Sequence, residues 1–91
     1  MSKDKLYRVI QMYREWFERS EYVKCEFPKN NLTYLSDRSK LLNHCYYMLG
    51  EMENFVDVNK LEKAFRWLGF IQGCFWSLGM CSIDDLKDDN R

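Results

Sequence analysis

The chain is poor in residues that interrupt structure and in residues that do chemistry: 91 positions hold one proline, four glycines and one histidine. With so little proline and 46% apolar residues, disorder is excluded for most of the chain. The single histidine, His44, supports no serine–histidine–acid arrangement. There is no excess of charge either, because 14 basic residues balance 14 acidic ones. That removes the global field that draws a protein onto nucleic acid or lets it imitate DNA, so no DNA partner is expected. Strand-like alternation and Asn-Gly hairpin signals are absent, no Gly-rich loop follows a strand, and no internal repeat or low-complexity stretch occurs. The apolar stretch between Arg66 and Asp84 also contains Gln72 and falls short of the roughly 20 residues a membrane span needs. Membrane insertion is therefore not expected.

Four cysteines are present, Cys25, Cys45, Cys74 and Cys81, but no CxxC pair, and His44 beside Cys45 is the only neighbouring pair of potential ligands. A zinc site has little support, and no cofactor is indicated. The opening "MSKDKLYRVI" is charged and helical in pattern rather than a signal peptide. This places the chain in a reducing cytoplasm and predicts buried, unbridged thiols. Asp84 and Asp85, side by side, point to different faces of a helix, and their expected place is its positive end. With no catalytic constellation, an enzyme is not expected.

What the sequence does contain is helical periodicity. Leu6, Val9, Ile10, Tyr13, Trp16 and Phe17 make one apolar stripe of a helix over about 4–24, ended before Pro28. Ser36 or Asp37 can cap a second helix over about 36–53, whose stripe is Leu41, Leu42, Cys45, Met48, Leu49 and Met52. After a break at "NFVDVN", Asn59 with Glu62 has the shape of a capping box, with Asp57 as the competing cap, opening a third helix over about 59–78. Leu61, Ala64, Phe65, Leu68, Ile71, Gln72 and Phe75 form its core face. Gly79 is placed to end it in a left-handed cap, and Ser82 with Asp85 opens a short helix over about 82–89. The expected fold is all-α, a single domain over 1–91 built as an antiparallel helical hairpin or small three-helix bundle with a short C-terminal helix. A chain this short buries only roughly 60–65% of its unfolded surface, which favours a homo-oligomer.

Two features point to function. In "RWLGFIQGCFW", residues 66–76, Gly69 and Gly73 each cost a helix interior about 0.8–1 kcal/mol relative to alanine. Lying on one face, they allow another backbone to come close, so Trp67, Gly69, Phe70, Gly73 and Trp76 are expected to form a packing surface within the subunit or between subunits. The competing reading is a helix broken near one glycine. The second feature is the interleaving of rings and cations in the basic first half of the chain, set against the acidic tail "SIDDLKDDNR". Tyr7, Arg8, Tyr13 and Arg14, with Lys24 and Lys29 downstream, are the residue types that stack bases and meet phosphates.

The stretch "KLEKAFRWLGFIQGCFWSLGMCSIDDLKDDNR", Lys60 to Arg91, resembles small proteins of tailed bacteriophages in which an Arg-Trp-Leu-Gly-Phe-x-Gln-Gly helix leads into a short capped segment ending in Asn-Arg. Within it, "NKLEKAFRW" is similar, at Lys60, Leu61, Glu62, Ala64 and Trp67, to the helical hairpin of phage anti-CBASS cyclic-nucleotide sponges, a hairpin that also occurs in anti-Thoeris sponges. The resemblance implies a helical oligomer in the host cytoplasm that binds cyclic di- or trinucleotide messengers without cleaving them. The alternative is a protein-binding inhibitor or adaptor that docks a helical face onto a host or phage enzyme.

Overall fold

The computed structural model describes residues 2–26 and 37–91, which form four helices and no strand: α1 (Lys3–Glu18), α2 (Arg38–Asp57), α3 (Leu61–Ser77) and α4 (Ile83–Asp89). Lys29 and the candidate cap Ser36 lie outside the described residues. The expected helical class is found.

Each helix starts and stops for a local reason. Ser2 caps α1 by accepting from the Lys5 backbone N–H at 3.2 Å. The helix ends well before the expected residue 24, because the Ser20 hydroxyl donates to the Phe17 carbonyl at 2.6 Å and accepts from the Tyr22 N–H at 3.1 Å. Those bonds give the backbone an alternative to another helical turn. Residues 22–26 then run along α2, where Val23 N–H donates to the Asn43 side chain and Cys25 N–H to the Asn43 carbonyl. Asp37 caps α2, accepting from Lys40 N–H at 3.1 Å.

The expected break at "NFVDVN" comes later than residue 54: of that stretch only Val58 and Asn59 leave the helix. Val56 continues the stripe of Met52 and is fully buried, so α2 runs to Asp57. Asn59 is not an N-cap: it adopts a left-handed φ of 63° and closes α2, with its own N–H donating to Val56 O and Lys60 N–H to Phe55 O at 2.7 Å. This is the paired-bond Schellman ending. Asp57 does not cap α3 either, since it is the last residue of α2, and α3 starts with no side-chain cap. Gly79, with φ of 72°, ends α3 in the same way, Met80 N–H donating to Phe75 O at 2.8 Å. The Ser82–Asp85 capping box is formed in both directions, at 2.9 and 3.0 Å.

Helices α1 and α2 pack antiparallel, joined by the Arg14–Glu53 ion pair and by Phe17 stacked on Tyr46 with centroids 4.9 Å apart. Helices α2 and α3 form an antiparallel hairpin in which Phe55 meets Trp67 edge-on and the Arg38 guanidinium donates to the carbonyl of Leu78 at 3.0 Å. Leu6, Ile10, Phe17, Leu42, Leu49, Met52 and Ile71 fill the centre, fully buried. Helix α3 is continuous through both glycines.

The two left-handed positions respond oppositely to substitution. Gly79→Ala should lower the unfolding free energy by about 1 kcal/mol, because a Cβ is disfavoured at positive φ. Asn59→Gly should leave it unchanged or raise it. Urea denaturation followed by circular dichroism measures both.

Candidate functional site

The feature that organises one side of the molecule is a buried carboxamide. Gln72 on α3, 8% exposed, donates from Nε2 to the Tyr13 hydroxyl at 3.0 Å and to Asn90 Oδ1 at 2.6 Å. Asn90 returns a bond from Nδ2 to Gln72 Oε1 at 3.0 Å, and the Tyr13 hydroxyl donates onward to Asp89 at 2.8 Å. Both donors and the acceptor of Gln72 are thereby used. Burial is the main reason the Tyr13 phenol is held far above its ordinary pKa, and the Asp89 carboxylate adds to it.

This network ties α4 to α1 and α3 and so builds a pocket of ≈ 400 Å³. Met12 and Trp16 of α1, Phe75 of α3 and Met80 give it apolar walls, while Arg19, Asp89 and Cys81 supply its polar groups. Trp16 remains 40% exposed, although its spacing places it in the core stripe of α1. Its ring lies nearly parallel to Tyr22 at 6.1 Å and edge-on to Phe17 at 5.0 Å, so the indole is braced while part of it faces solvent. Size, apolar walls and a few convergent polar groups are the attributes of a small-molecule site.

The pocket has little reactivity of its own. Burial and the nearby Asp89 and Asp85 carboxylates push the Cys81 thiol up, away from the thiolate that a nucleophile requires. Cys45 and Cys74 are buried, free and opposed across the α2–α3 contact; Cys25, expected to be buried, is exposed beside the end of the 22–26 segment. Among the described residues no three His, Cys, Asp or Glu side chains converge on a possible metal position. In the same set no helix is long and apolar enough to cross a membrane.

The residues expected to bind a ligand are not brought together. Tyr7 donates its hydroxyl to Asp57, a bond that raises its pKa to about 12. Arg8 is exposed on α1. Tyr13 does line the pocket, but it is buried with its ring edge-on to Phe75 at 5.1 Å. Arg14 is occupied by Glu53 and by Gln11 Oε1 at 3.1 Å. Lys24 lies over the Tyr46 ring, 5.2 Å from its centroid. Thus Tyr7 and Arg14 serve the α1–α2 contact, and Tyr13 serves the α3–α4 side. What the periodicity hid is the ridge Met12, Trp16 and Arg19, spaced i, i+4 and i+7 at the edge of the α1 stripe; that spacing is its only sequence signal.

The expected packing surface divides as well. Trp67 packs within the chain, 4.9 Å from the Phe55 ring. Phe70 makes one such contact, edge-on to His44 with centroids 6.3 Å apart, yet is 47% exposed; Trp76 is 54% exposed, and among the described residues a Cβ at Gly69 or Gly73 would meet nothing within 4 Å. Among the described residues no close approach is made at either glycine, and part of this apolar face is left exposed.

Comparison with protein-family models, with characterised proteins and with solved structures gives no match.

Two measurements follow from these contacts. Asn90→Ala should lower stability by about 1–3 kcal/mol, because it strands a buried amide, and should loosen α4 first, visible as faster amide exchange over residues 83–89. Burial lowers the His44 pKa below 6.5, so the folded state binds a proton less readily than the unfolded chain. The stability His44 allows is complete above that value and declines as pH falls below it. The thermal midpoint should drop between about pH 7 and about pH 5, and His44→Gln should flatten the drop. Asp85, held below 3.8 by the bonds of the Ser82 cap, acts in a separate window, its contribution being lost only as pH falls through that lowered value.

Proposed function

We propose that the protein acts by stoichiometric binding of a small aromatic anion in the α1–α3–α4 pocket. The observation that carries this reading is Trp16 half-exposed at an apolar cavity with the Arg19 cation among its lining residues. A planar base can stack against an indole, and a guanidinium can meet a phosphate through paired N–H donors. The resemblance of Asn59–Trp67 to phage sponge hairpins supplies the ligand class: cyclic di- or trinucleotide messengers, sequestered intact to starve a host defence in the cytoplasm. In this reading the binding residues are Trp16, Arg19 and Met12. Tyr7, Tyr13 and Arg14 act as structural supports.

Calorimetric titration with a panel of cyclic di- and trinucleotides tests this. At least one should bind at micromolar concentration and be recovered unaltered after the protein is denatured. Trp16→Ala and Arg19→Ala should each weaken binding roughly tenfold or more, consistent with the energy of one base stack or one charge-assisted contact. Arg8→Ala should leave it unchanged. No binding by any member of the panel, or binding that depends on Arg8 and not on Trp16, would sink the reading.

A further inference from the structure

The open face of α3 is turned away from Phe75, and its spacing has a symmetry of its own. Arg66, Gly69, Gly73 and Trp76 are spaced by three, four and three residues, so the interval pattern is the same from either end. At 3.6 residues per turn these four positions share one face. A groove of ≈ 550 Å³ runs beside the glycines, walled by Phe70, Trp76, Leu41 and Cys74.

We propose that this face recognises a second copy of the chain, the two α3 helices packing antiparallel about a two-fold axis that passes between Gly69 and Gly73. Three observations carry the proposal. A two-fold contact uses the same patch on both partners, and this patch is self-complementary: the rotation sets Gly69 of one copy against Gly73 of the other, and Arg66 against Trp76. Among the described residues both glycines have open space where a Cβ would point, as close approach of a second backbone requires. The end groups match chemically. Arg66 is exposed and, among the described residues, is held by a long 3.9 Å pairing with the still more exposed Glu62, while Trp76 is 54% exposed. A guanidinium over an indole is attractive, and the symmetry makes the contact twice. Between Arg66 and Asp84 the chain has no formal charge, so the crossing opposes no like charges.

The surface is independent of the α1–α3–α4 pocket, so its test does not depend on a ligand. Sedimentation equilibrium of the full chain should show a dimer at micromolar concentration that dissociates on dilution. Gly73→Leu should be monomeric with unchanged helical circular dichroism. Arg66→Ala and Trp76→Ala should each weaken association roughly tenfold, and the double variant by less than the product of the two, because each removes the same contact. A monomeric wild type overturns the proposal and leaves the face to a different protein. A dimer that survives Gly73→Leu overturns it by placing the interface elsewhere. Strictly multiplicative effects of the Arg66 and Trp76 variants would overturn the antiparallel register.

Discussion

A single buried carboxamide sets the arrangement of the C-terminal half. Gln72 faces inward from α3 into an otherwise apolar environment, where an unpaired amide would be costly. Its partners come from opposite ends of the chain, Tyr13 on α1 and Asn90 just past α4. The short helix α4, only 7 residues long, cannot be stable by propensity. Its place is fixed by the Ser82 cap at one end, the Asn90 amide pair at the other and Leu86 buried between them. Because α4 is fixed, Asp89 and Cys81 take up positions opposite Met12 and Trp16, and a pocket exists. The Gln of "LGFIQG" and Asn90, 18 positions further on, meet here as hydrogen-bond partners.

The helices were legible because their apolar spacing is regular, and Gly79 and the Ser82–Asp85 box were legible because cap chemistry is local. Two boundaries were misread for an equally local reason. Ser20 and Asn59 each have two roles open to them, and sequence does not choose between them: Ser20 takes the bonds of a turn instead of staying in α1, and Asn59 takes a left-handed backbone at the end of α2 instead of capping α3. The proposed ligand site was legible only in its chemistry. Tyrosines and arginines along α1 carry the right groups for a nucleotide, but tertiary partners decide which of them are free. Tyr13 and Arg14 are used by the fold, whereas Trp16, which the periodicity assigns to the core, is left at the edge of a cavity.

The glycines of α3 illustrate the converse. Their cost to the helix is clear from sequence, but a contact face and a helix break both answer it. An unbroken α3 removes the break, and among the described residues nothing packs close at either glycine. The proposed two-fold contact supplies a partner there. On that proposal one helix carries Phe75 toward the pocket and Gly69 and Gly73 toward a second copy.

The central claim is that the pocket built by Gln72 is where the protein meets its ligand. Amide and indole chemical-shift mapping during titration with a cyclic dinucleotide tests it most directly. The account predicts the largest shifts at the Trp16 indole N–H, the Arg19 backbone and the Gln72 and Asn90 side-chain amides. Shifts concentrated at Tyr7 and Arg8, or around Gly69 and Gly73 with the Trp16 indole unmoved, would contradict it.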